Sequence, residues 1–453
     1  MNLYSTVLIA GCVVMSNASI ANDENLVSKA LKVDGALVTL PIEAAKLPYS
    51  NEFIAEARQN FNNFHWQMGG DHSLYYNMHM NEFMQTALAS PSHTYKPLVK
   101  EIDNRLDNML VKTSARGEIT MQEYLTDPQF RTQGFLLLHK GKIVYQAYPG
   151  MKPTDRHIWA SSSKTMVGVV VAMLVEEGKI SEAVSVTDYI PQLRNTVWDS
   201  VTVMDLLNHT TGLANEETAQ SIMKPNSPVV RFFASAIGSE NHDTQSQDSW
   251  MDVARDTQKI EGEKAGERFR YASMNTMLLT QIVENIEGTT WTKVFEERVW
   301  SHVNARQPML FNLTPEGSAI ALGLVSSTLE DMARWGALFT PSWQAVADKP
   351  VISPALIDHI RVKGNPKAFE GSAKQASSMH AFNEKADYHA YQFDYVFSDG
   401  AMAKSGNLGQ FIYIDPDRDF VGVAFSTNPY HSGFGESKAP ALMRQAAKVL
   451  AGQ

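Results

Sequence analysis

Apolar residues follow two rhythms along this chain. At 134–150, GFLLLHKGKIVYQAYPG places short apolar runs on either side of Lys140-Gly141. That pattern predicts two strands joined by a tight turn, with glycine supplying the permissive backbone dihedral. At 409–429, GQFIYIDPDRDFVGVAFSTNP repeats it, with strands FIYI and FVGVAF and a turn at Asp415-Pro416-Asp417. Between these hairpins helical spacing dominates. KTMVGVVVAMLVEE, from Lys164 to Glu177, is apolar nearly all round, and Gly178 stands where a helix would end. A helix of that kind is buried on all sides. RYASMNTMLLTQIVENIEG (270–288) predicts a second helix, and ESKAPALMRQAAKVLAG (436–452) a closing one. Upstream, YYNMHMNEFMQTAL (75–88) and YKPLVKEIDNRLDNMLV (95–111) also carry helix-like spacing. The stretch from 222 to 262 has no clear period and is expected to line or cover a cleft.

Strands near both ends with helical sequence between them predict one α+β domain over 126–452, the late hairpin joining the early one in an antiparallel sheet. Residues 22–125 then form an N-terminal helical extension, for packing or as the wall of a pocket. Residues 1–21 resemble a signal peptide: apolar from Leu3 to Met15, then Ala18-Ser19-Ile20-Ala21 ahead of an acidic run. Cleavage after Ala21 would give a periplasmic or secreted protein. The alternative is a lipoprotein anchored at Cys12, because Ile9-Ala10-Gly11-Cys12 resembles a lipoprotein processing box.

Composition narrows the chemistry. The 453 residues are 44% hydrophobic and carry a net charge of -10, enough apolar mass for a sizeable core. No concentrated run of Lys and Arg offers a footprint for nucleic acid. Cys12 is the single cysteine, so cleavage at Ala21 would leave no thiolate chemistry and no disulfide. His65, His139, His380 and His389 are scattered, without the close spacing that argues for a metal site. Neither metal nor cofactor is expected, and the expected partner is a small-molecule amide, ester or peptide substrate.

WASSSKTMVG (159–168) sets serines and a lysine directly before the apolar helix. Ser161 and Lys164 are three apart and would share a helix face. Ser161 fits a nucleophile activated by a neutral Lys164 amine, and it fits an ordinary N-cap equally well. Ser162 and Ser163 read as capping or packing groups. His209, in LLNHTTGL, reads as a group that satisfies local backbone rather than as a general base. Two further segments bear on the choice. RYASMNT puts Tyr271, Ser273 and Asn275 before a helix, and MAKSGNLGQ puts Lys404, Ser405 and Gly406 on a predicted strand, where glycine allows close backbone approach.

The ordered set Ser161-x-x-Lys164, Tyr271-x-Ser273, Lys404-Ser405-Gly406 resembles the serine beta-lactamase and penicillin-binding-protein superfamily. VMDLLNHTTGL (203–213), GLVSSTLEDMARWG (323–336) and FDYVFSDGAMAKSGNLGQFIYIDP (393–416) are similar to its connecting text. The last is nearest the branch of class C beta-lactamases, esterases and 6-aminohexanoate-dimer hydrolases. The resemblance covers about 126–452. It implies a beta-lactamase-like transpeptidase fold: an antiparallel sheet flanked by helices, with a largely helical subdomain. It also implies that Ser161 is the acylated nucleophile, Lys164 its activator, Tyr271 the proton relay and Lys404 an electrostatic partner. The backbone N–H groups of Ser161 and Asn407 would form an oxyanion hole, and Ser273, Asn275, Ser405 and Gly406 would meet the substrate. Ser273 stands where class C enzymes have asparagine, which is closer to the aminohexanoate-hydrolase branch. The function expected is hydrolysis of a small linear amide or ester. The alternatives are a D-amino-acid peptidase, a beta-lactamase, and a binding protein or sensor that acylates without turnover.

Overall fold

Strands that are apolar at every position need cover on both faces. FLLL, FIYI and FVGVAF in the two hairpins are such strands, and the computed structural model shows what covers them. It describes residues 35, 37–67, 69–224, 226–238, 248–429 and 437–453. The expected leader and Cys12 lie outside the described residues.

The central sheet has seven strands: β1 (Thr132–His139), β2 (Lys142–Ala147), β3 (Tyr388–Ala390), β4 (Phe393–Val396), β5 (Met402–Ser405), β6 (Phe411–Asp415) and β7 (Phe420–Ser426). Their spatial order is β2-β1-β7-β6-β5-β4-β3, and every adjacent pair is antiparallel. The late hairpin joins the early one through β7 and β1, with Val423 opposite Leu136 and Phe420 opposite His139. Lys140 and Gly141 both take positive φ in the first turn, the geometry that matches the strand twist. Alternation divides the side chains. Leu136, Leu138, Ile412, Ile414, Val421 and Val423 enter one core, while Phe135, Leu137, Phe411, Tyr413 and Phe420 enter the other.

Seven helices matter for the site: α1 (Asp71–His79), α2 (Lys164–Glu176), α3 (Pro228–Ile237), α4 (Ser273–Glu287), α5 (Leu329–Ala337), α6 (Ala373–Phe382) and α7 (Ala439–Leu450). α5 packs on one face of the sheet and α7 on the other, with α6 beside α7. α2 is buried from Lys164 to Leu174 and packs against α4 in the largely helical part of the molecule. Gly168 lets this helix sit directly on the backbone of the β3–β4 connection. A Cβ there would lie 2.1 Å from Tyr391 O.

Two upstream helix expectations are corrected. The 75–88 stretch is helical only to His79, followed by a 3-10 turn at Met80–Glu82 and a strand at Thr86–Ala89. That strand pairs with Met309–Asn312, a long-range partner that overrides local spacing. The 95–111 stretch is not an α-helix. Lys100 bridges to Ile143, a 3-10 turn covers Asn104–Asn108, and Leu110–Thr113 pairs with Gly117–Thr120. Its apolar residues serve two surroundings, since Leu98 and Leu106 are buried whereas Val99 and Ile102 are exposed. The unperiodic 222–262 stretch contains α3 and a shorter helix at Trp250–Asp256.

Candidate active site

The turn before α2 is a 3-10 turn, Ala160–Ser163, rather than the first turn of the α-helix. Side chains three apart eclipse in that geometry, which brings Lys164 Nζ to 3.0 Å from Ser161 Oγ. Ala160 holds φ 45, a conformation that a non-glycine residue adopts only when its surroundings enforce it. The serines do not cap: α2 has no side-chain cap. Ser163 Oγ donates to Ala160 O at 2.9 Å and Ala321 O at 2.7 Å, and Ser162 Oγ donates to Lys404 O at 3.3 Å. Of the three, Ser161 alone is not fully buried. Lys164 is buried, and its Nζ also donates to Leu322 O at 2.6 Å.

Tyr271 and Lys404 come to the same point from α4 and β5. Tyr271 precedes α4, and Lys404 Nζ donates to its hydroxyl at 3.2 Å. Lys164, Lys374 and Lys404 lie 5.4, 4.9 and 4.6 Å from the centre of the tyrosine ring. Gly406 ends β5 against the nucleophile turn. A Cβ on it would meet Trp159 O at 2.6 Å and Ala160 Cβ at 3.0 Å, so only glycine lets the end of this strand approach the nucleophile turn this closely. Asn407 and Ser161 both line the cleft.

The other expected substrate contacts divide. Ser273 lines the cleft, and its N–H donates to the Glu217 carboxylate. Asn275 is buried behind it, with Nδ2 3.2 Å from His209 Nδ1 and Oδ1 accepting from Asn215. Ser405 Oγ donates to Asp394 at 2.5 Å. His209 is fully buried and meets the backbone N–H of Ala272 at Nδ1. Burial, with His389, Lys404 and Lys164 nearby, keeps it neutral far below the ordinary imidazole range.

Three groups have no signature in the sequence. Asp394, on β4 and fully buried, accepts from Lys404 Nζ at 2.5 Å, Lys374 Nζ at 3.0 Å and Ser405 N at 3.1 Å. Burial alone would raise its pKa, but the Lys374 and Lys404 ammoniums overrule it and hold the carboxyl far below the usual range. Lys374 comes from the first turn of α6. Glu217, in the loop just before a short helix at Ala219–Met223, lines the cleft. Their partners are remote in sequence, so no local spacing announces them.

The remaining cleft wall is apolar. α3 contributes Phe233, Ala236 and Ile237, and Leu322 and Leu324 face them. Trp66 and Gln67, from the N-terminal region, complete it, and Gln67 Oε1 accepts from Asn407 Nδ2 at 3.1 Å. Among the described residues no group of three or more His, Cys, Asp or Glu converges on a metal position.

Residues 119–447 match the family model described as Beta-lactamase. A 6-aminohexanoate-dimer hydrolase of Paenarthrobacter ureafaciens is 26% identical over 357 residues, spanning 77% of this chain and 84% of that one. Among solved structures, a Bacillus anthracis protein assigned as a 6-aminohexanoate-dimer hydrolase superposes with a TM-score of 0.66 at 21% identity, covering 83% of this chain and 94% of that one. EstCE1, a hydrolase with promiscuous acyltransferase activity, superposes with a TM-score of 0.50 at 15% identity, over 70% of this chain and 94% of that one. The family match spans most of the chain and contains the serine–lysine turn, Tyr271 and the Lys404 strand, and on that ground the chain belongs to the beta-lactamase family of serine hydrolases.

Proposed function

We propose that this protein cleaves an amide or ester through a covalent acyl-enzyme on Ser161. The observation that carries the reading is the 3.0 Å contact from Lys164 Nζ to Ser161 Oγ, in a turn that buries the amine and leaves the hydroxyl at the cleft. A neutral Lys164 amine takes the hydroxyl proton as Oγ bonds to the substrate carbonyl carbon. The resulting oxyanion is held by the backbone N–H groups of Ser161 and Asn407. Tyr271, steadied by Lys404, delivers a proton to the leaving nitrogen or oxygen as the scissile bond breaks. The same groups then activate the water that releases the acyl product.

The substrate class we favour is a small linear amide or ester. Trp66, Phe233 and Ile237 give the cleft apolar walls suited to a methylene chain. Glu217 adds a carboxylate to that cleft, which suits a substrate carrying an amino group. The Paenarthrobacter relative is named for a substrate of that kind, the 6-aminohexanoate dimer. The apolar stretch from Leu3 to Met15 supports export of the protein.

The test is hydrolysis of a short panel by wild type and Ser161→Ala: an aryl ester, the linear aminohexanoate dimer, a D-Ala-D-Ala peptide and a chromogenic cephalosporin. Wild type is expected to turn over the linear amide or the ester, with a loss of about 10³-fold or more in the variant. Equal turnover by both proteins would remove Ser161 from the reaction.

A further inference from the structure

Lys374 belongs to none of the motifs that carry the family resemblance, yet its ammonium is buried at the centre of the site. It donates to Asp394 Oδ2 at 3.0 Å and to Ser405 Oγ at 3.3 Å, and stands 4.9 Å from the centre of the Tyr271 ring. Three residues on, α6 is pinned to β4 by Ser377 Oγ and Tyr395 OH, 2.7 Å apart. The helix that carries Lys374 is therefore fixed to the strand that carries Asp394.

We propose that Lys374 is a positioning residue for Tyr271: through Asp394 it fixes Lys404 on the phenol oxygen, and its own charge makes the surroundings of the ring net positive. The proposal rests on the hydrolase reading of Ser161 and Tyr271. A single lysine would neutralise Asp394, and Lys404 already does so at 2.5 Å. The second, Lys374, brings the excess. Around Tyr271 stand Lys164 from α2, Lys404 from β5, Lys374 from α6 and Asp394 from β4. The His209 ring lies 4.8 Å away, with His389 of β3 behind it at 5.0 Å. Both imidazoles are held neutral by burial and by the lysines. Glu217 faces the next turn and accepts from Ser273 N–H. Lys374 and Lys404 therefore outweigh the Asp394 carboxylate beside the phenol, an arrangement that eases the loss of its proton to the leaving group. Lys374 acts through this field and through Asp394; no bond to it changes during the reaction.

The test is the pH dependence of kcat/KM for the full-length protein, with whichever panel substrate wild type hydrolyses. Lys374→Met is expected to move the acid limb to higher pH by about one unit, because the neutral, proton-accepting form of Lys164 loses a neighbouring positive charge that favours it. Lys374→Arg keeps the charge and is expected to restore the limb. Asp394→Asn removes the anion between Lys374 and Lys404 and is expected to move the limb the other way. A uniform loss of activity in Lys374→Met with the limb unmoved would overturn the proposal, as would shifts of the same sign in Lys374→Met and Asp394→Asn. If Lys374→Met does not fold by circular dichroism, Lys374→Gln against Lys374→Arg makes the same comparison. Ser161→Ala run in parallel separates the two readings. Activity that survives it defeats the hydrolase mechanism, whereas an unmoved limb with Ser161→Ala inactive defeats only the role of Lys374.

Discussion

His389 is fully buried, and its Nε2 meets Leu207 O at 3.2 Å. Its Nδ1 has no partner among the described residues. Burial and the Lys404 charge push its pKa from 6.5 down to about 3. In the unfolded chain the same imidazole takes up a proton below about pH 6.5. The unfolded state therefore binds more protons between those values, and stability is lost as pH falls through that window, by about 1.4 kcal/mol per unit. His389→Gln is expected to flatten the decline measured by urea unfolding between pH 7 and pH 4, and an unchanged slope would show that His389 is not its source. Individual residues were also where the sequence said least. Ser161, Lys164 and Tyr271 sit in short ordered motifs that can be read directly. Asp394 reads as the polar member of an apolar strand, and Lys374 as one of many lysines. Their meaning comes only from a contact between α6, β4 and β5.

Elements were legible where one environment decides the pattern. Both hairpins, the buried α2 helix and the closing α7 helix follow from their spacing because each meets the same surroundings along its length. The 75–88 stretch does not, since its pairing partner is as remote as Met309–Asn312, nor does the 95–111 stretch, whose apolar residues meet mixed surroundings. The 3-10 form of the nucleophile turn was likewise invisible, because SSSK spells an α-helical start just as well. α2 itself offers a sharp test of how elements place chemistry. Gly168→Ala would drive a Cβ to 2.1 Å from Tyr391 O, where the opposing atom is backbone and yields little. Overpacking of this kind costs about 1–3 kcal/mol. We expect a lower Tm together with reduced kcat, as the Lys164 end of the helix is pushed from its seat. A normal Tm with full activity would show that the β3–β4 connection moves freely.

At the scale of the molecule, the N-terminal region is not a detachable appendage. Trp66, Tyr75, Tyr76, Met80 and Leu98 belong to the same core as Trp159 and Val170. Asn77 Nδ2 donates to Thr427 Oγ1 at 3.1 Å, and Asp71 gathers the N–H groups of Thr39 and Leu40. A chain beginning at residue 119, where the family match starts, would expose that apolar surface. It is expected to unfold without a cooperative transition in calorimetry, and a single sharp transition near that of the full chain would contradict this. The Gln67–Asn407 hydrogen bond joins residues 340 positions apart, which bears on the order of events during synthesis. The turn that carries Asn407 emerges from the ribosome long after Ser161 and Lys164. Until it arrives, the nascent chain has its serine and lysine but neither the turn nor the Lys404 strand that packs against them. On the proposed mechanism, hydrolytic competence therefore waits for residues 404–407, and the cell that makes the protein is spared an active nucleophile on every shorter copy.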